Sequence, residues 1–140
     1  MLTWEQWQEK SRSSLEASRI LLENGRPVEA TSRAYYAAYQ MVTGVLIKLK
    51  LTPRGEYGNW SHEETQNMYR IHICRKADWG YKEKNALSKL RNGFGLLLIN
   101  RRDADYGISG NIHASLVRTL WRDSNRLITL LQNLIERGVL

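Results

Sequence analysis

The sequence predicts an all-α protein, an antiparallel bundle of about five helices. Three observations carry this. Only two Pro and ten Gly interrupt 140 residues, which favours a few long elements over many short strands. Apolar residues recur at three-and-four spacing along most of the chain, the period of a helix with one buried face. No segment shows sustained strand alternation, a hairpin dipeptide or an internal repeat.

Each helix has its own signals. Thr3-Trp4-Glu5-Gln6 fits a capping box and opens a helix running to about Asn24, with Trp4, Trp7, Leu15, Ile20 and Leu22 among its apolar positions. Gly25 is placed to end it, and Pro27 suits the first turn of the next. This second helix carries Ala30, Ala34, Ala37, Ala38, Met41, Val45 and Leu49 on one stripe, small enough to admit another helix closely. Pro53, Gly55 and Gly58 mark a loop between Leu51 and Trp60. Ser61-His62-Glu63-Glu64 reads as a second capping box, opening a third helix to roughly Cys74, with a break at residues 77–80. A fourth helix buries Leu87, Leu90, Phe94, Leu97 and Leu98, with Gly93 and Gly95 allowing close packing, and the polar stretch Arg101–Gly110 is expected as a loop. The last helix is expected from about Asn111 to Arg137, with Ile112, Leu116, Leu120, Leu127, Leu131 and Leu134 on one side.

Length and composition suit one domain over residues 1–140: 42% hydrophobic residues with five Trp and seven Tyr can fill a core. The single Cys excludes an intramolecular disulfide and suits a reducing cytosol. The N-terminal residues carry no signal-peptide pattern and the longest apolar run, Phe94 to Ile99, is too short to span a bilayer, so a cytoplasmic protein without membrane contact is expected.

The net charge of +7 is regional. Residues 1–65 and residues 103–140 each balance their charges, whereas residues 66–102 hold nine basic side chains against Asp78 and Glu83. Concentrated positive charge favours a polyanion, with nucleic-acid phosphate the usual candidate; a solvated helix face is the plainer alternative. Gly93-Phe94-Gly95 is no nucleotide-binding loop, because it lacks a third glycine and follows a helix rather than a strand. His62, His72 and His113 are too scattered for a metal centre, and neither a metal nor another cofactor is expected.

Two polar constellations remain. On the second helix, within Ser32-Arg33-Ala34-Tyr35-Tyr36-Ala37-Ala38-Tyr39-Gln40, the residues Arg33, Tyr36 and Gln40 share a face. Further on, Arg101-Arg102-Asp103-Ala104-Asp105-Tyr106 crowds cations, carboxylates and a phenol. With Trp60-Ser61-His62 between them, these segments resemble, in order, the motifs of small prokaryotic proteins of the HEPN family (higher eukaryotes and prokaryotes nucleotide-binding domains).

That resemblance implies an all-α bundle, usually homodimeric, often paired with an MNT-type nucleotidyltransferase as antitoxin. Many such proteins are toxins that cut RNA without metal, using an Arg followed a few residues later by a His at a cleft between protomers. Here the pattern departs: Gln40 stands where a His could follow Arg33, Arg101 and Arg102 meet Asp105 and Tyr106, and His113 lies eleven residues beyond Arg102. By resemblance, the candidate catalytic residues are Arg101, Arg102, Asp105 and Tyr106. The candidates for binding RNA (tRNA or mRNA) or a nucleotide are Arg33, Gln40, His62, Lys82 and Lys89. In some relatives a tyrosine near this motif accepts AMP from the transferase, a role open to Tyr106. Structural roles stand beside these: an Arg33–Asp105 ion pair, packing of His62 at its loop, and the three tyrosines as core or dimer contacts. A non-catalytic dimeric module that binds a nucleotide or a transferase partner is the alternative function.

Overall fold

The computed structural model describes residues 1–76, 78–107 and 112–140. It contains α1 (Trp4–Glu23), α2 (Pro27–Lys48), α3 (His62–Met68), α4 (Tyr81–Tyr106) and α5 (Ala114–Glu136), with no strand among the described residues. A π-helical turn, Tyr69–Cys74, continues α3. Position 77 of the expected break, Gly110 at the end of the expected polar loop and Asn111 at the expected start of the last helix lie outside the described residues.

Local chemistry sets the first boundaries. The Gln6 N–H donates to Thr3 Oγ1 (3.2 Å) while the Thr3 N–H donates to Gln6 Oε1 (2.9 Å), so the predicted capping box forms in full. Gly25 adopts φ +72°, a left-handed conformation that ends α1 at little cost only for glycine. At the start of α3 the Glu64 N–H donates to Ser61 Oγ (3.2 Å); the reciprocal contact of a capping box is not formed there.

Helix α2 is the centre of the bundle, with Ala30, Ala34, Ala37 and Ala38 fully buried. The face that α1 turns toward it is largely serine: Ser11, Ser14 and Ser18 are buried, while Leu15 and Leu22 are only half-buried and Ile20 is exposed. Hydroxyls bridge the closely packed helices. Ser11 Oγ donates to Ala37 O and Ser18 Oγ to Ala30 O (2.6 Å each), and from α5 Ser124 Oγ donates to Ala34 O (2.7 Å). An alanine stripe brings neighbouring backbones near, and a serine can then reach a carbonyl that a longer side chain would cover. An unpartnered hydroxyl in the same place would cost about 1–3 kcal/mol.

The remaining core joins Leu87, Phe94, Leu97 and Leu98 of α4 to Leu120, Leu127, Leu131 and Leu134 of α5 and to Tyr69 and Ile73. A Cβ on Gly93 would lie 3.3 Å from Asp123 of α5, so this glycine permits a close approach; Gly95 faces open space and does not. Ile112 packs in a satellite cluster with Ala30 and Val117 ahead of α5, whose N-cap is His113.

One boundary departs from expectation. Arg101–Tyr106 is not loop but the last turn and a half of α4. Arg101 and Asp105 pair at i, i+4 along this helix, which offsets the polar composition that suggested a loop.

Candidate functional site

Arg101 lies on the inner side of α4 and is 8% exposed. Its Nη2 donates to Tyr36 Oη of α2 at 2.9 Å. Its Nε lies 2.9 Å from Asp105 Oδ2, an ion pair in which the N–H is not aligned on the oxygen. The guanidinium also lies 5.3 Å from the Tyr36 ring centre, 5.9 Å from Tyr35 and 5.6 Å from Tyr106, within cation–π range of each. Asp105 in turn accepts from Ser32 Oγ at 2.5 Å, so the carboxylate ties α4 to α2.

The first residue of α3, His62, reaches the same aromatic platform. Its Nδ1 is 2.7 Å from Tyr35 Oη, and its ring centre lies 5.4, 6.1 and 5.0 Å from those of Tyr35, Tyr36 and Tyr39. His62 and Arg101 thus flank the same two rings, though they are 39 positions apart in sequence. Burial, followed by the nearby Arg101 cation, lowers the imidazole pKa below its ordinary value, against the opposing pull of Glu63. The ring is therefore held neutral. Burial also pushes the Tyr35 phenol well above its usual range, so it is a hydroxyl at physiological pH. Tyr39 is fixed by donating to Trp60 O and accepting from Asn59 Nδ2, 2.7 Å each, which ties the loop before α3 to the platform.

The other candidates scatter. Arg102 is exposed and pairs with Glu63, the neighbour of His62. Tyr106 is 79% exposed. Arg33 is exposed and has no ion-pair partner among the described residues; the expected pair with Asp105 is not formed, because Arg101 and Ser32 occupy that carboxylate. Arg33 instead lines a pocket of about 610 Å³ with Ser32, Tyr36 and Asp105. Gln40 is turned to α1: with its amide oriented to satisfy both ends, the nitrogen donates to Ser14 Oγ (2.7 Å) and Lys10 O (3.0 Å), which leaves it in the interhelix seam. Lys82 and Lys89 are exposed on α4, about 28 and 18 Å from Arg101 by helical rise, and do not join the site within one chain. His113 is an exposed N-cap.

Sequence reasoning missed Glu63 and Ser32 as partners of Arg102 and Asp105. Nothing local marks such contacts, since they span 39 and 73 positions. Between α3 and α4 a groove of about 620 Å³ runs past Glu63, Asn67, Arg70, Arg91, Leu96 and Ile99, and part of the regional positive charge borders it. Among the described residues no group of three His, Cys, Asp or Glu side chains could hold a metal ion, and no helix is long and apolar enough to cross a membrane.

No curated protein matches the chain. The family model described as HEPN domain matches residues 4–57, which covers α1, α2 and most of the loop that follows; His62 and Arg101 lie beyond the match. Over residues 4–57 the chain is similar to the HEPN domain.

Proposed function

We propose that this chain is an RNA-binding HEPN protein of the toxin type, a metal-independent endoribonuclease with its site at His62 and Arg101, restrained by an MNT-type nucleotidyltransferase antitoxin. The observation that carries the reading is the shared Tyr35–Tyr36 platform, which sets a neutral imidazole beside a buried guanidinium. The His missing from the linear motif is supplied from another helix.

The chemistry needs a base for the ribose 2′-hydroxyl and positive charge for the developing phosphorane. In the tautomer whose Nδ1–H donates to Tyr35 Oη, which this reading requires, His62 Nε2 carries the free lone pair and takes the 2′-hydroxyl proton. The 2′-oxygen then bonds to phosphorus and the 5′-oxygen leaves, taking a proton from water, to give a 2′,3′-cyclic phosphate and a 5′-hydroxyl. The proton held on His62 neutralises the resulting hydroxide, which restores the imidazole to its neutral form. Arg101 and Arg102 provide the positive field, and the basic groups of the π-helical turn and α4 hold the strand. The acceptor of AMP from the antitoxin, in this reading, is Tyr106, whose exposure supports it. A homodimer through the outer face of α4, where Leu96 and Ile99 are 51% and 55% exposed, completes the cleft.

The test is cleavage of tRNA and mRNA in the presence of a chelator, with growth followed on expression. Wild type should cut and slow growth, and His62→Ala should do neither. RNA that stays intact with wild type overturns the nuclease reading. The saturation of Arg101 by Tyr36, Asp105 and three rings favours a second reading, a non-catalytic module in which Arg101 only pins α4 to α2. That protein would bind RNA, a nucleotide or the transferase without cutting.

A further inference from the structure

Residues 103–140 carry four basic and four acidic side chains, and this zero balance hides a segregation. Arg118, Arg122 and Arg126 recur every four residues along α5, and all three are exposed. None has an ion-pair partner among the described residues. The acidic residues of α5 are elsewhere: Asp123 packs against Gly93 of α4, and Glu136 lies at the far end of the helix. Arg137, the remaining cation of this region, pairs with Glu83. What is left is a ridge of three unpaired guanidiniums with steps of about 6 Å along the helix axis.

The ridge borders a groove. Between α1 and α5 lies a cleft of about 380 Å³ with Leu22 and Trp121 at its base and Arg118 and Arg122 on one bank. On the other bank Arg19 is held by Glu16 and by Glu23, which also lines the cleft, so the free positive charge belongs to α5 and a phosphate would sit on the α5 side. The Trp121 indole N–H donates to Leu15 O (3.1 Å), which fixes the ring and commits its one polar atom. The rest of the ring can offer only stacking or apolar contact.

We propose that this ridge and groove form a second RNA contact, in which Arg118, Arg122 and Arg126 hold consecutive phosphates of a single strand while a base rests on Trp121. The spacing suits an extended strand, and a fixed aromatic surface beside arginines suits a base better than an acidic peptide. The proposal rests on the reading of the protein as an RNA binder. It adds a site outside the basic segment 66–102, so a bound RNA extends across α5 as well as α4.

The test is a salt titration of binding to a short fluorescent oligouridylate. Wild type is compared with Arg118→Gln/Arg122→Gln/Arg126→Gln and with a control of equal charge loss at exposed cations outside both proposed contacts, Lys10→Gln/Arg12→Gln/Arg54→Gln. The α5 triple variant should weaken binding and lower the salt slope by about 2, near 0.7 for each lost phosphate contact. Oligouridylate should also quench tryptophan fluorescence, and Trp121→Phe should remove that quenching while the protein stays folded. If wild type binds and the α5 variant keeps its slope, the ridge is overturned while RNA binding stands. If both triple variants lose the same slope and quenching is absent, the effect is net charge alone and the site is overturned. Polyglutamate competing as well as RNA of equal charge would also overturn it, in favour of an acidic protein partner. If wild type binds no RNA at any salt, the broader reading falls together with this one.

Discussion

Arg101 Nη2 donates to Tyr36 Oη at 2.9 Å, closing a contact between α4 and α2 across 65 positions of sequence. Asp105 sits on the other edge of the same guanidinium and is itself anchored by Ser32 of α2. Arg101 is buried while Asp105 reaches solvent. Arg101→Ala, which loses the Tyr36 contact and the packing of the side-chain stem, should therefore destabilise the fold by about 1–3 kcal/mol in urea unfolding, whereas Asp105→Asn strands the buried cation. Replacing both, as Arg101→Met/Asp105→Asn, should cost less than the two single changes added together, because neither partner then remains uncompensated. Additive losses would show that the pair is not coupled.

The lowered pKa of His62 has a direction that stability measurements can read. The unfolded chain takes up this proton near pH 6.5, while the folded ring resists it until lower pH. As pH falls through that window the unfolded state binds more protons, so stability declines, and it recovers fully above about pH 6.5. Arg101 and Arg102 oppose protonation and Glu63 favours it. The His62→Gln variant should lose this acid slope, and an imidazole NMR titration of wild type should place the His62 midpoint below about 6.5. For the proposed RNA cleavage the same proton should give an acidic limb, with the rate rising to a plateau as His62 becomes neutral.

Much of the fold was legible because its signals are local. The Thr3 box, Gly25, Pro27 and the apolar stripes of α4 and α5 each act within a turn or two. The face of α1 toward α2 was not legible as a serine seam, because hydrophobic patterning assigns no weight to Ser11, Ser14 and Ser18. Their burial follows only once the alanines of α2 are known to bring the helices together. The end of α4 was misplaced for a related reason: Arg101–Tyr106 is polar, but its polar groups satisfy one another and α2. At the site, both motif segments were visible in sequence, whereas the meeting of His62 with Arg101 depends on α3 and α4 converging on one tyrosine platform.

The serine seam makes its own prediction. A Cβ on Gly44 of α2 would lie 3.1 Å from Trp4 O and from Trp7 Cβ of α1, and a backbone oxygen cannot rotate away. Gly44→Val should therefore destabilise the protein by about 1–3 kcal/mol despite relieving a helical glycine. Ser18→Ala should cost about 1 kcal/mol for its lost hydrogen bond. Ser18→Val should cost more, because the added methyls enter a space fitted to a hydroxyl. Thermal melts of the three variants would rank them; Gly44→Val melting at or above wild type would refute the close approach.

The outer face of α4 gives the last prediction. Leu96 and Ile99 are exposed next to Gly95, and a side chain added at that glycine would meet nothing. Lys89 and Asp103 are about four helical turns apart and project on nearly the same side of this strip, one before it and one after. Both are exposed, and neither has an ion-pair partner among the described residues. A two-fold axis at Leu96, midway between Lys89 and Asp103, would set two α4 helices antiparallel, bury the apolar pair twice and turn Lys89 and Asp103 into reciprocal ion pairs. It would also carry Lys89 from about 18 Å away in its own chain to the Tyr106 end of the other. In sedimentation equilibrium, Ile99→Asp should shift the protein to monomer with its helical circular dichroism unchanged. Lys89→Glu should weaken the dimer and Lys89→Glu/Asp103→Lys should restore it. A monomeric wild type, or a double variant no tighter than Lys89→Glu alone, would reject this interface.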